Sequence, residues 1–318
     1  MKSLVVAVAM AVGVATPAEA ETAKTFGPVA VTGVPPASAE IHKVQAMATI
    51  DAQVTAGQTA YVYSTLRAYG SAHVNLVDNE IRCTGAGSGN VVMGENIDPA
   101  GMANPGRGDI TIVNRFLVSA TSTGTLACTL YLRTSSLTDF TSSLTVSGTL
   151  RFASLQVAED ANGLAMQTSL PNGNTVVADT VYKPILDRTI AAGHSQVAVI
   201  ADVEYMSCYP TTCEHSSTTS NALFTLYARQ MNGNTVCANA TPAQTSVAVS
   251  KQTHHKAVPL YTTITLVPGC DRIYAYVRAD YLDGPTGAIQ GQSNGLTDST
   301  GSAARHDSAM THLFAVPS

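Results

Sequence analysis

Apolar and polar residues alternate along most of this chain in short runs. "AYVYSTLRAY" (60–69), "ITIVNRFLV" (110–118), "CTLYLR" (128–133) and "LTVSGTLRF" (144–152) mix β-branched and aromatic residues with a partial period of two. "QVAVIADVEY" (196–205), "LYTTITLV" (260–267) and "RIYAYVRADY" (272–281) do the same in the second half. Such alternation marks strands with one face on a core and one toward water. Turn-forming clusters separate the runs: "GAGSGN", "NPGRGD", "STGT", "MNGN", "VPGC" and "LDGPTG". No stretch beyond residue 20 carries a helical period over twelve residues. The pattern predicts an all-β chain of two tandem antiparallel β-sandwiches, immunoglobulin-like or jelly-roll, and leaves those two topologies open.

Segments recur in order across the two halves, which points to an internal duplication. "TAGQTAYVYSTLRAY" (55–69) aligns with "AAGHSQVAVIADVEY" (191–205), matching Ala56, Gly57 and Tyr69 to Ala192, Gly193 and Tyr205. "EIRC", ending at Cys83, answers "NTVC", ending at Cys237. "RFLVS" around Phe116 answers "LYTTI" around Tyr261, and Tyr131-Leu132-Arg133 answers Tyr276-Val277-Arg278. "TLRFA" (149–153) answers "THLFA" (311–315). The expected division is a signal peptide over 1–20, a Pro-containing arm over 21–40 and a first sandwich over 41–158. A linker over 159–185 then leads to a second sandwich over 186–318, with a polar loop near 289–308.

The compartment follows from the first residues. Lys2, an apolar run from Leu4 to Ala15 and the closing Ala18-Glu19-Ala20 have the form of a cleaved secretory leader. The run is too short to span a bilayer, so a secreted, extracellular protein without a membrane anchor is expected. Six cysteines, Cys83, Cys128, Cys208, Cys213, Cys237 and Cys270, then read as disulfides. The duplication suggests the pairs Cys83–Cys128 and Cys237–Cys270, with Cys208 and Cys213 closing a local loop in "SCYPTTCEHSS". Charged residues are 12% of the chain and the formal net charge is -5, so the basic footprint of a nucleic-acid partner is missing.

Several patterns have the spelling of chemistry. "GQSNG" places Ser293 as in a nucleophile elbow, but no strand-to-helix context surrounds it. Cys208, Cys213 and His215 have soft-metal character, although outside the cell the two thiols are better read as a disulfide. His254 and His255 precede a strand and point to opposite faces, as a solvated pair. The acids Asp78 and Glu80, Glu95 and Asp98, and Asp280 and Asp283 could supply oxygens to Ca²⁺, yet no calcium-loop pattern joins them, and no cofactor is expected. Whether two carboxylates stand at a glycosidase separation is a spatial matter that the sequence leaves open. Twelve tyrosines, with no Trp, serve either as structural strand residues or as platforms for a sugar ring. Asn239-Ala240-Thr241 is a glycosylation sequon.

Arg107-Gly108-Asp109, within "NPGRGDITIV", is the tripeptide read by integrins and sits between a Pro-Gly turn and a strand start. As a binding site it rests on those residues alone. No catalytic motif keeps its structural context, so the expected function is that of a secreted, disulfide-stabilised binding or surface-structural protein without catalytic activity. A carbohydrate-binding protein or adhesin, with 107–109 as its loop, and a hydrolase with a dispersed site are the alternatives. The expected partner is an extracellular glycan or protein surface.

Overall fold

The computed structural model describes residues 23–36, 43–98, 107–136, 141–156, 167–168, 174–190, 193–207, 219–251, 253, 255–291 and 311–318. Every element in them is a strand. The first eight are β1 (Ala23–Val34), β2 (Lys43–Val54), β3 (Thr59–Tyr69), β4 (Asn75–Gly85), β5 (Gly89–Ile97), β6 (Asp109–Ser119), β7 (Gly124–Ser136) and β8 (Ser142–Gln156). There follow β9 (Gln167–Thr168), β10 (Thr175–Val177), β11 (Thr180–Thr189), β12 (Gln196–Ser207), β13 (Thr219–Asn232) and β14 (Thr235–Asn239). The chain continues through β15 (Ala243–Ser250), β16 (His255–Thr265), β17 (Arg272–Asp283), β18 (Gly287–Ile289) and β19 (His312–Pro317).

The strands form four antiparallel sheets in two facing pairs. In the first pair the orders are β1-β8-β3-β6 and β2-β7-β4-β5. In the second pair β12 lies between β16 and β19, β19 pairs β9, and the short β10-β18 ribbon continues beside the end of β12. Its facing sheet is β11-β17-β13, with β15 and β14 end to end along the outer side of β13. Once β10, β14 and β18 are set aside as additions, the orders are β9-β19-β12-β16 and β11-β17-β13-β15. These match the first pair strand for strand. Eight strands in this order, crossing between two sheets at every step except the one that pairs β4 with β5 or β13 with β15, make a jelly roll, and the protein contains two.

Topology tests the repeat directly. The segments in β3 and β12, β6 and β16, β7 and β17, and β8 and β19 all fall on equivalent strands. The pairing of "EIRC" with "NTVC" does not: Cys83 lies on β4, whereas Cys237 lies on β14, which the first copy lacks. The counterpart of β4 is β13, and β14 folds back from it through Gly233, whose positive φ of 55° suits glycine. The two bridges therefore differ in place. Cys83–Cys128 joins neighbouring strands β4 and β7, while Cys237–Cys270 ties the added strand to the turn before β17. Cys208 and Cys213 lie outside the described residues, as do the leader, Ser293, His215 and His254. Replacing Cys83 and Cys128 together by Ala is expected to cost about 2–5 kcal/mol, read by denaturant unfolding under non-reducing conditions.

Two boundaries need correction. Residues 23–34, expected in an arm, are the edge strand β1, paired with β8 from Ala23↔Arg151 onward. Residues 175–185, expected in a linker, belong to β10 and β11 of the second jelly roll, as does β9 at 167–168; the rest of 159–173 lies outside the described residues. The prolines explain why these strands read poorly. Pro28 and Pro184 fall at the register breaks of β1 and β11, both edge strands, where a missing N–H leaves no ladder bond unmade.

Each jelly roll has its own apolar core, the first around Val62, Leu66, Ile81, Ile112 and Leu130, the second around Val199, Phe224, Leu226 and Val277. A third, smaller cluster of Leu117, Ile200, Phe314 and Val316 joins them, with the Tyr61 ring edge-on to Phe314 at 5.7 Å. The outer face of β12, β16 and β19 thus packs on β5 and β6. This seam buries charge. The Arg115 Nε donates to Asp202 Oδ1 at 2.9 Å, and its Nη2 donates to Asp202 and to the carbonyls of Ala201 and Leu260, both at 3.1 Å. Lys256 Nζ reaches Glu95 Oε1 at 2.5 Å. Gly94 N donates to Glu204 Oε2 at 2.5 Å. A Cβ at Gly94 would stand 2.6 Å from Asp78 Oδ1 and 3.0 Å from Glu204 Oε2, so only glycine lets the two carboxylates approach there.

Candidate binding face

The residue pattern of β17 builds the face. Ile273, Ala275, Val277 and Ala279 are fully buried, and the residues between them, Arg272, Tyr274, Tyr276, Arg278 and Asp280, point outward. The register of β13 sets Tyr227 opposite Tyr276, Arg229 opposite Tyr274 and Thr225 opposite Arg278. On the other side β11 sets Asp187 opposite Tyr274 and, across its bulge, Ile185 opposite Tyr276 and Tyr182 opposite Arg278. Directly paired residues share a face, so four tyrosines from three strands meet. The Tyr227 and Tyr276 rings stack with centroids 5.1 Å apart and planes at 24°. Tyr182 meets Tyr276 edge-on at 5.7 Å, and Tyr274 lies 5.8 Å from Tyr276. Tyr182 and Ile185 are 51% and 41% exposed.

Ion pairs frame the rings. Arg272 grips Asp187 with Nε–Oδ1 at 2.5 Å and Nη2–Oδ2 at 2.7 Å. That hydrogen bonding holds the Asp187 carboxyl below its ordinary value. Arg278 Nε donates to Asp280 Oδ1 at 2.9 Å, and the Thr180 hydroxyl donates to the same oxygen at 2.7 Å. Asn239, on β14, continues the row of Arg229 and is exposed.

The first jelly roll treats the equivalent positions differently. Tyr131, the counterpart of Tyr276, has the Arg82 guanidinium over its ring at 4.6 Å. On the other sheet Arg151 covers Tyr63 at 4.8 Å and Arg67 covers Tyr69 at 5.0 Å. Arg133, the counterpart of Arg278, is completely buried, 3.7 Å from Glu80 Oε2 and 4.0 Å from Asp78 Oδ2. Among the described residues no arginine lies over any of the four rings of the second copy. Its face is open.

The chain matches no protein-family model and no curated protein. A solved structure of the N-terminal CBM22-1-CBM22-2 tandem domain from Paenibacillus barcinonensis Xyn10C aligns over 94% of this chain and 100% of its own, at 9% identity and a TM-score of 0.23.

The other candidates fall elsewhere. Arg107 turns into the seam, where Nη1 donates to His255 O at 3.1 Å and Nη2 to Ala248 O at 2.6 Å, with Glu95 3.7 Å away. Asp109 points outward and is held by Arg67 Nε at 3.0 Å. Gly108 lies between them, so the two charged ends of the tripeptide are committed to different partners. His255 is not solvated: it is buried, with Nδ1 2.7 Å from Glu204 Oε1. Glu80, Glu95 and Asp280 each face a cation, and Asp283 accepts a hydrogen bond from Asn221. Asp98 is buried. Among the described residues no group of three or more His, Cys, Asp or Glu is placed to hold a metal ion. Asp78 and Glu204, which converge at Gly94, are 3% and 2% exposed.

The face joins tyrosines that the sequence showed only as a scattered set. The legible signal was the spacing of Tyr274 and Tyr276 around buried Ala275. The contributions of Tyr182 and Tyr227 depend on cross-strand register, which no local pattern reports.

Proposed function

We propose that this protein is an extracellular binding protein that takes carbohydrate on the tyrosine face of its second jelly roll. The observation that carries the reading is the convergence of Tyr182, Tyr227, Tyr274 and Tyr276 on one sheet face. An aromatic ring offers a flat apolar area to the C–H face of a pyranose, and a packed tyrosine loses little rotamer freedom on binding. The framing Asp187, Asp280, Arg278 and Asn239 supply donors and acceptors for ring hydroxyls around that apolar patch. Two disulfides support folding in an oxidising compartment, where such a ligand is met. Within this reading the Arg107-Gly108-Asp109 turn serves the joint between the jelly rolls.

A glycan array probed with the wild-type protein tests the proposal. A defined set of glycans should be retained. A blank array, or retention of proteins but of no glycan, would turn the reading toward a protein-binding or surface-structural role.

A further inference from the structure

From the charge on the same face we infer that the preferred glycan is acidic, with Arg229 receiving a uronate carboxylate beside the tyrosine rings. The inference rests on the reading of this face as a glycan site. Three guanidinium groups, Arg229, Arg272 and Arg278, stand on the face, and two are already matched, Arg272 by Asp187 and Arg278 by Asp280. Arg229 is half-buried on β13, in register between Tyr274 on one side and Asn239 on the other, and among the described residues no carboxylate pairs with it.

That position decides the chemistry. Neighbouring strands lie about 4.8 Å apart, and alternate residues along a strand about 7 Å apart. Arg229 is thus one strand from Tyr274 and one same-face step from Tyr227, within the width of one sugar ring. A pyranose stacked on the rings places its C5 substituent at the ring edge. In a uronate that substituent is a carboxylate, which a planar guanidinium can receive through two parallel N–H bonds. A neutral hexose has a hydroxymethyl there instead. Covering Arg229 with it would remove water from a cation without returning a charge, which is costly. Asn239, next in the row, offers an amide to an adjacent hydroxyl.

The experiment titrates polygalacturonate, alginate and hyaluronan against the protein, each polymer with its carboxylates free and again as methyl esters. Wild type should bind at least one free-acid polymer about tenfold or more tightly than its ester, the worth of one charge-assisted contact. Arg229→Gln should lose most of that preference, through weaker acid binding with ester binding no weaker than wild type, and with the melting temperature unchanged. Equal binding of acid and ester by wild type, or a preference that survives Arg229→Gln, overturns the inference. So does an array in which only neutral glycans are retained, and that result leaves the glycan reading standing. Failure to retain any polymer or array glycan ends both.

Discussion

Arg115→Ala is expected to destabilise the protein by about 3–5 kcal/mol, the cost of leaving a buried charge without its partner. Asp202 would stay behind in the seam, 1% exposed, with His312 Nε2 at 3.3 Å from its side chain. Denaturant unfolding measures the loss. Replacing both partners by apolar residues, Arg115→Met with Asp202→Leu, should recover much of it, because the seam then buries no unmatched charge. A single variant as stable as wild type would show that the pair does not hold the two jelly rolls together.

The same pair fixes a sign in acid. Burial pushes the Asp202 carboxyl up, but Arg115 and His312 together outweigh it, and the group sits below its ordinary value. A carboxylate depressed in the fold stabilises above its unfolded pKa of about 4, and that share is lost as pH falls through the folded value. Glu95 runs the other way. Burial outweighs Lys256 and Arg107, so its pKa is raised, and its share is present below the unfolded value and lost as pH rises through the folded one. The seam's response is a sum of opposite signs. The Asp202 part is therefore read as the difference between wild type and the Arg115→Met/Asp202→Leu protein below about pH 4.

Tyr276→Ala should reduce glycan affinity about tenfold or more, since it removes the ring on which the other three converge. The fold should survive, because the side chain points away from the core held by Ala275 and Val277. Isothermal titration and circular dichroism on the same sample separate the two effects. Undiminished affinity with an intact fold would place the binding surface elsewhere.

The strands were legible because alternation is a local property. In β17, for example, the buried Ile273, Ala275, Val277 and Ala279 can be read from spacing alone. The topology was not, since it depends on pairings such as β1 with β8 that join residues far apart in the chain. Of the acids weighed as oxygen donors, Asp78 and Glu80 are buried on strand positions that point away from their own core, and Glu95 is buried in step with the core residues Met93 and Ile97. Part of that burial comes from the second jelly roll lying over the first, as Ala257 of β16 joining the first core shows. No single-strand pattern contains that contact. His255 was misjudged for the same reason. The cysteine alignment failed because the added β14 hairpin carries Cys237 off the equivalent strand.

The most direct test is footprinting of tyrosines by nitration, with and without a glycan retained on the array, followed by peptide mass spectrometry. Bound glycan should protect Tyr182, Tyr227, Tyr274 and Tyr276 and leave Tyr63, Tyr69 and Tyr131 as reactive as before. Protection on the first jelly roll instead, or saturated binding with all four tyrosines still freely nitrated, would contradict the assignment of this face as the binding surface.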